Sequence, residues 1–336
     1  MLGPRPHNEG NCLVMLILDM MSFHLIADAI KVARYLGATL VLPNIQGSKS
    51  SDKRNFEEIY DVEKFIRTLD GIIEVARDHP ALVSSEKLPV VRVPNRVCET
   101  YIATKVEPLF RIKGNLRLEI YYPSLIMTKG KETQYVDPYS CLAMFEILQL
   151  QPRLQQVVNS MIWRLKTLNQ KSNGQYIAVH LRVEMLEKKC KGNEARRRKR
   201  CYNAQEIGEF LKKVDFQTNT TIYLTESRWQ TSLDALRDIY PNTYTKEDIM
   251  SAKEKANLLS SGSSELEKVI DFHICSESDV FVPAVSCLFY ATVIGKRIAS
   301  GKTQILVPAQ MTSPSRRDYI SPYISEKNHL AYSCFC

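Results

Sequence analysis

The strongest constraint on the fold is a short apolar run that ends in His, Arg and Glu. It reads Tyr176-Ile177-Ala178-Val179-His180-Leu181-Arg182-Val183-Glu184. A run of this kind is typical of a strand buried on both faces, and such strands form parallel sheets whose ligands bind beyond the carboxyl ends of the strands. The run therefore predicts His180 and Arg182 at a pocket mouth, unless the strand simply ends there and its charged residues meet water.

The rest of the chain alternates helices with short apolar strands. Helices are predicted over 25–36, ended by Gly37, and over 152–168, where apolar residues form a continuous stripe. Strands are predicted over 39–43 and 221–224, and 303–308 is expected to close the second sheet. This alternation indicates parallel sheets wrapped by helices, that is, an α/β fold.

The chain has 336 residues, which suits two domains of roughly 150 residues each. Residues 169–174 are polar and contain glycine, so we place the boundary there. The predicted domains are 1–168 and 169–336.

The positive charge is concentrated in one segment. The formal net charge is +8, and 187–200 contains eight Lys or Arg against two Glu, which accounts for +6 of it. A nucleic-acid binder usually spreads positive charge over a face and interleaves aromatic residues, whereas this segment has no aromatic residue. We therefore predict a solvated loop and no nucleic-acid partner.

The nine cysteines include no Cys-x-x-Cys pair, so a zinc site is not expected. Cys190 and Cys201 flank the basic segment and could close it with a disulfide in the secretory lumen. Asn219-Thr220-Thr221, an N-glycosylation pattern, agrees with that compartment. No apolar stretch reaches the roughly 18 residues of a membrane span. A lumenal protein would then have its anchor outside this sequence.

The sequence lacks the short motifs of the commonest enzyme classes. Gly-x-Gly-x-x-Gly, a Walker loop, Gly-x-Ser-x-Gly and His-Glu-x-x-His are all missing, which argues against typical dehydrogenases, kinases, hydrolases and metallopeptidases. Polar residues at strand ends and helix starts remain, and such a set suits a phosphorylated ligand. They are His180, Arg182, Glu226, Arg228, Ser263, Ser264, Asp271, Ser278 and Asp279.

Each of these residues has a functional and a structural interpretation. Arg182 could fork two hydrogen bonds onto a phosphate, Asp271 could accept from a base or ribose, and Ser278 or the amides of 279–281 could bind phosphate oxygens. Asp279 could equally be a cap or turn residue, Ser263 and Ser264 only a helix N-cap, and His180 a core histidine.

Several ordered motifs resemble the plant O-fucosyltransferase-like family. The run 176–184 is similar to its His-Leu-Arg-x-Glu strand end, and 27–43 to its N-terminal half. The motifs that follow in the same order are Thr245-Lys246-Glu247, Ser263-Ser264 with Asp271-Phe272, Ser278-Asp279-Val280-Phe281-Val282 and Gly295-Lys296-Arg297. Segments 183–189, 202–210 and 329–336 most resemble the mannan-synthesis-related members.

This resemblance implies a GT-B-like fold, with two Rossmann-type domains and a cleft between them. The first domain would lie on the acceptor side and the second would bind a nucleotide-sugar donor, commonly GDP-fucose, without a metal or other cofactor. The implied donor-site residues, with Arg182 at the diphosphate and His180 as its support, are His180, Arg182, Asp271, Ser278, Asp279 and Phe281.

The chain departs from the family pattern before its first helix. Members with established transferase chemistry usually carry a Gly-Gly-x-Asn-x-x-Arg loop, but 11–23 contains neither glycine nor arginine. An acidic residue that follows Glu184 in many relatives is not evident either. The only N-terminal candidates for a general base are His24 and Asp28. Donor binding is therefore better supported by the sequence than catalysis.

These observations predict a metal-independent, inverting glycosyltransferase that moves a sugar from a GDP-sugar to a cell-wall polysaccharide or glycoprotein in mannan biosynthesis. It would be a type II Golgi protein whose anchor is absent from this chain. The alternative is a non-catalytic Golgi partner that supports a mannan synthase. A third interpretation uses the basic segment to bind a polyanion.

Overall fold

The structure is a computed structural model. The residues that it describes are 12–16, 23–46, 53–77, 88–121, 127–128, 138–168, 173–190, 201–258, 264–308 and 319–335. The basic residues 191–200 lie outside these ranges, so the interpretations of that segment stay predictions. Within the described ranges, no helix combines the length and the apolar character needed to cross a membrane.

The chain divides into two compact units. Unit 1 comprises Met1–Leu125 and Gln134–Arg153, and unit 2 comprises Ile126–Thr133 and Leu154–Cys336. The helix Pro152–Thr167, which the boundary predicted from the sequence leaves with the first half, belongs from Leu154 onward to unit 2. Its buried residues include Leu154, Val158, Met161 and Leu165, on the stripe that the sequence predicts.

Unit 1 is built on a five-stranded parallel sheet with the order β5-β2-β1-β7-β6. Its strands, with an antiparallel pair β3–β4, are Cys12–Leu16 (β1), Thr39–Val41 (β2), Asn44–Gln46 (β3), Lys53–Asn55 (β4), Val75–Ala76 (β5), Val90–Pro94 (β6) and Leu116–Tyr121 (β7). Its helices are Phe23–Leu36 (α1), Val62–Leu69 (α2), Glu99–Tyr101 (α3), Glu107–Lys113 (α4) and Pro138–Phe145 (α5).

Unit 2 is built on a four-stranded parallel sheet with the order β10-β9-β8-β11. Its strands are Tyr176–His180 (β8), Thr221–Leu224 (β9), Thr243–Tyr244 (β10) and Val280–Pro283 (β11). Its helices are Pro152–Thr167 (α6), Val183–Cys190 (α7), Ala204–Lys213 (α8), Asp234–Ile239 (α9), Lys246–Ile249 (α10), Ala252–Leu258 (α11), Ser264–Glu277 (α12), Leu288–Ala299 (α13), Pro322–Ser325 (α14) and Tyr332–Phe335 (α15). All five residues of β8 are buried, as predicted for a strand covered on both faces.

Local signals in the sequence place several element ends correctly. Gly37 follows α1 with a positive φ of 65°, a conformation that costs glycine no steric penalty. Asn203 caps α8 through a reciprocal box, in which its side chain accepts from the Glu206 amide at 2.9 Å and the Glu206 carboxylate accepts from the Asn203 amide at 2.8 Å.

The structure differs from the expectations at three places. Segment 303–308 forms single bridges, from Ile305 to Phe281 and from Leu306 to Ile320, rather than a strand. The strand β1 was not predicted, although it lies in the middle of the first sheet, because five residues are too few to show a period. The run that begins at Tyr176 changes from strand to helix, since β8 ends at His180 and α7 begins at Val183.

Candidate functional site

The carboxyl ends of the parallel strands in unit 2 bring polar residues to one edge of the sheet. Arg182 follows β8, Glu226 follows β9 and Lys246 follows β10. Because ligands of open α/β sheets bind at this edge, it is the first place to look for a site.

Asp271, from the middle of α12, is fully buried and is the centre of a cluster with Arg182, Tyr223 and Lys246. Its Oδ2 accepts a hydrogen bond from Arg182 Nη2 at 2.6 Å, and its Oδ1 accepts one from the Tyr223 hydroxyl at 2.7 Å. Lys246 Nζ donates to both oxygens, at 2.9 and 2.8 Å. The Asp271 carboxylate is therefore occupied by the protein itself rather than exposed to a base or ribose.

Lys246 is a fully buried cation at the first position of α10. Its Nζ also donates to the Thr225 carbonyl at 3.1 Å. Burial lowers the pKa of Lys246, although the adjacent Asp271 carboxylate opposes that shift. A reciprocal cap between Thr245 and Asp248 fixes the start of α10 and so the position of this side chain.

Arg182 is the member of the cluster that reaches solvent, since 20% of its side chain is exposed. Burial is the largest single effect and opposes the charged form, but the carboxylates of Asp271, Glu267 and Glu226 together outweigh it and raise the pKa of Arg182 above its ordinary value. Asp271 accepts from one nitrogen of the guanidinium, Nη2. A guanidinium has five N–H donors, so this contact does not use up its capacity to donate. Arg182 is thus a pre-positioned, charged donor at the carboxyl edge.

Two further carboxylates lie close to these cations. Glu226 is buried and accepts from the Val183 amide at the start of α7; burial raises its pKa. Glu267 accepts from the Ser227 hydroxyl and lies 3.9 Å from Lys246 Nζ. The local balance is two cations against three carboxylates, so an anionic ligand gains less from Arg182 than it would from an isolated arginine.

His180 is buried and its two ring nitrogens both have partners. Nδ1 lies 3.0 Å from Thr225 Oγ1, and Nε2 lies 3.5 Å from Cys287 Sγ. The ring stacks on Phe289 with centroids 4.2 Å apart. This geometry gives His180 a structural role in the packing of unit 2. A donor contact by His180 stays a prediction.

The predicted segment Ser278 to Phe281 begins at the opposite edge of the sheet from Arg182 and continues into β11. Strand β11 runs parallel to β8 and pairs Val280 with Ile177 and Pro283 with His180. Ser278 and Asp279 come before β11, so they lie at the amino edge. At about 3.3 Å per residue, the length of β8 separates the two edges by well over 10 Å. The structure therefore does not bring these residues together with Arg182 and Asp271.

The same segment is fully used in packing. Ser278 is buried and donates to the Cys275 carbonyl at 2.9 Å, and the Asp279 carboxylate accepts from the Tyr176 amide at 2.9 Å. Arg297, also buried, donates to the carbonyls of Ser278 at 2.6 Å and of Asp279 at 3.1 Å. The Phe281 side chain is fully buried. A donor-binding role for these residues stays a prediction, and we do not include them in the candidate site.

The two residues predicted as general bases both belong to α1. Asp28 is buried, and its carboxylate accepts from the backbone amides of Arg96 at 2.8 Å and Val97 at 3.1 Å. Burial raises its pKa to about 7. Arg96 has a positive φ of 58°, so Asp28 stabilises a strained turn. The His24 side chain lies outside the described part of the structure, and a catalytic role for either residue stays a prediction.

Sequence reasoning missed Lys246 and Tyr223 as members of the cluster. Lys246 stands within one of the motifs of the resemblance, but nothing local marks it as a partner of Asp271, which lies 25 positions away.

Cys141, Cys201 and Cys334 are in disulfides, whereas the side chain of Cys190 lies outside the described residues, so its pairing with Cys201 stays a prediction. In the described ranges, no three His, Cys, Asp or Glu side chains are grouped so that they could hold a metal ion.

Comparison with known proteins identifies the family. The family model described as GDP-fucose protein O-fucosyltransferase matches residues 24–299. The chain belongs to this family. Among relatives of this O-fucosyltransferase family member, Protein MANNAN SYNTHESIS-RELATED 2 of Arabidopsis thaliana is 55% identical over 93% of this chain and 74% of its own length. Protein MANNAN SYNTHESIS-RELATED of Trigonella foenum-graecum is 46% identical over 93% of this chain and 76% of its own.

Solved structures agree on the fold. The crystal structure of apo POFUT1 matches with a TM-score of 0.52 at 12% identity, covering 90% of this chain and 99% of that one. POFUT1 in complex with GDP-fucose matches with a TM-score of 0.51 at 12% identity, covering 86% and 94%. These matches confirm the predicted GT-B-like α/β fold. Membership of the O-fucosyltransferase family supports a glycosyltransferase.

Proposed function

We propose that this chain transfers a sugar from a GDP-sugar, with GDP-fucose as the first donor to test, to a cell-wall polysaccharide or a glycoprotein in mannan biosynthesis. The observation that carries the proposal is the Arg182 guanidinium, held at the carboxyl edge of a parallel sheet by the buried Asp271. The description of the family, GDP-fucose protein O-fucosyltransferase, supports a GDP-sugar as the donor. The names of the Arabidopsis and Trigonella relatives support a role in mannan biosynthesis.

In this proposal Arg182 contacts the diphosphate of the donor. As the bond from the anomeric carbon to the diphosphate breaks, negative charge grows on the leaving GDP, and a fixed guanidinium stabilises it without reorganisation. Helix α13 begins at Leu288, just beyond β11, so its first amides lie at the same carboxyl edge and offer donors to a phosphate. Neither a metal nor another cofactor has a part in this scheme.

The acceptor hydroxyl would attack the anomeric carbon from the face opposite the diphosphate, which inverts the configuration. The new bond joins the acceptor oxygen to that carbon, and the hydroxyl proton passes to a base. Asp28 has a pKa of about 7, suited to that task, but its two oxygens accept from backbone amides. We therefore assign the proton acceptor to no described residue.

A second candidate function is a non-catalytic partner of a mannan synthase in the Golgi. The charge balance around Arg182 favours it, because Glu226 and Glu267 reduce the attraction for a diphosphate. The sequence of 11–23, without the Gly-Gly-x-Asn-x-x-Arg loop, points the same way. Both candidates place the chain in the Golgi lumen, and disulfides at Cys141, Cys201 and Cys334 support an oxidising compartment.

The test is turnover by purified protein. It is incubated with GDP-fucose, GDP-mannose and UDP-sugars, each with manno-oligosaccharide and glycoprotein acceptors, and released nucleotide and glycosylated product are measured. Product from a GDP-sugar that disappears in the Arg182→Ala variant supports the transferase. GDP binding without product from any donor, together with co-purification of a mannan synthase, contradicts it and supports the partner.

A further inference from the structure

A small cavity of about 270 Å³ lies in unit 1, at the carboxyl end of β2 and beside β5. This is the edge of a parallel sheet at which ligands bind, and its lining belongs entirely to unit 1. Pockets for drug-sized ligands measure about 300–1,000 Å³, so the cavity suits a smaller ligand. Nothing in the unit 2 cluster contributes to it.

Four polar side chains line the cavity, and all four are exposed: Asn44, Asn55, Glu57 and Arg77. Asn44 and Asn55 are directly opposite in the β3–β4 pair, so their carboxamides stand on the same face about 5 Å apart at Cβ. Each carboxamide both donates and accepts hydrogen bonds. Ligand hydroxyl groups, which also do both, fit this pair.

The charge of the lining argues against an ionic ligand. Glu57 and Arg77 carry opposite charges, and Arg77 already forms an ion pair with Glu63 outside the lining. A phosphate or uronate would therefore meet no excess positive charge, and a cation would meet no unpaired cluster of carboxylates. The class of ligand that fits this lining is therefore a neutral polyhydroxy compound.

The rest of the lining is apolar and firmly held. Leu42 and Pro43 form one part, and Leu42 is tied to β5 by a hydrogen bond from its amide to the Ala76 carbonyl at 2.9 Å. Phe56 forms another part and packs on Phe65 with centroids 5.1 Å apart. Apolar walls suit the C–H faces of a sugar ring, and a rigid lining reduces the cost of binding.

We propose that this cavity binds one sugar residue of a neutral oligosaccharide, through the paired carboxamides of Asn44 and Asn55. Binding itself does not depend on donor chemistry. The use of the cavity as a subsite for a polysaccharide acceptor rests on the proposed function. Oligosaccharide binding and sugar transfer are tested in separate experiments.

The experiment measures binding of neutral manno-, xylo-, cello- and galacto-oligosaccharides, and of charged oligogalacturonide, by calorimetry. The variants are Asn44→Phe, which fills the cavity, and Asn55→Ala, which removes one carboxamide and with it the N-cap side chain of the short helix Phe56–Glu58. Arg67→Ala changes an exposed side chain of α2 that does not line the cavity, so it is the control for a surface substitution elsewhere in unit 1. Thermal melting checks that each variant is folded.

We expect a neutral oligosaccharide to bind the unaltered chain, and about tenfold or greater loss of affinity in Asn44→Phe, with a smaller loss in Asn55→Ala. Arg67→Ala and Arg182→Ala should stay within about twofold, the latter because it affects only donor binding. Affinity unchanged in both asparagine variants, no binding of any neutral oligosaccharide, or tighter binding of oligogalacturonide would overturn the proposal. Loss of GDP affinity in Arg182→Ala with oligosaccharide affinity retained separates this site from the donor site.

Discussion

Arg182 and Asp271 lie 2.6 Å apart from Nη2 to Oδ2, although 89 positions separate them in the sequence. Asp271 is fully buried, and its other partners, Lys246 and Tyr223, are fully buried as well. A guanidinium fixed in this way loses less conformational freedom when it binds a phosphate. The relationship explains how one partly exposed arginine can be a pre-positioned anion contact.

Loss of Lys246 should destabilise the cluster. In Lys246→Ala the buried Asp271 carboxylate keeps only Arg182 and Tyr223, and removing one partner from a buried ion pair costs about 3–5 kcal/mol. Urea unfolding measures the free energy of unfolding. The control is Lys302→Ala, which breaks a half-exposed pair with Glu277 and should cost no more than about 1 kcal/mol. Equal losses in the two variants would show that the buried lysine has no special role.

Neutralising Glu226 should strengthen anion binding. Glu226→Gln keeps an oxygen for the Val183 amide but removes a negative charge near Arg182, so we expect GDP affinity to rise by about threefold to tenfold. In the unaltered chain, affinity should also rise as the pH falls through the raised pKa of Glu226, because protonation removes the same charge. Glu247→Gln, in an exposed pair with Arg228, is the control. Calorimetry at several pH values measures both effects, and a fall in affinity in Glu226→Gln would contradict this electrostatic account.

Asp28 should make stability depend on pH near neutrality. Burial raises its pKa from 3.8 to about 7, so between these values the folded chain holds a proton that the unfolded chain has released. The free energy of unfolding should therefore fall as the pH rises through this window, by at most roughly 4 kcal/mol, and level off above it. Asp28→Asn should flatten the curve, whereas Asp70→Asn, an exposed aspartate of unit 1, should not. Denaturant titrations measure the slope, and an equal slope in all three proteins would exclude Asp28 as its source.

Much of the fold could be predicted because its signals are local. The buried run of β8, the cap of α8 by Asn203 and the stop at Gly37 each depend on a few neighbouring residues. The membership of the site could not be predicted in the same way, because Lys246 and Tyr223 reach Asp271 across 25 and 48 positions.

Sequence reasoning is also limited in how it groups residues, since it assigns Asp279 and Arg182 to the same donor site. Both residues flank apolar strands, but Asp279 comes before β11 and Arg182 comes after β8, so parallel pairing sends them to opposite edges. The order of polar residue and strand is visible in the sequence and separates them.

This placement predicts that Asp279 does not contact the donor. Asp279→Ala should leave GDP affinity within about twofold of the unaltered chain, and its cost should appear only in stability, because it removes the oxygen that accepts from the Tyr176 amide at 2.9 Å. Calorimetry with GDP and urea unfolding measure the two effects. A large loss of GDP affinity without a loss of stability would restore Asp279 to the donor site.

The most direct test of the donor site is a calorimetric titration of GDP into the unaltered chain and into Arg182→Ala, with Lys302→Ala as a variant that loses one charge of unit 2 at the other edge of the sheet. The proposed function predicts binding to the unaltered chain and to Lys302→Ala, and loss of about tenfold to a hundredfold in Arg182→Ala, since one charge-assisted contact to phosphate is removed from a partly buried site. Equal GDP affinity in Arg182→Ala and the unaltered chain would contradict it.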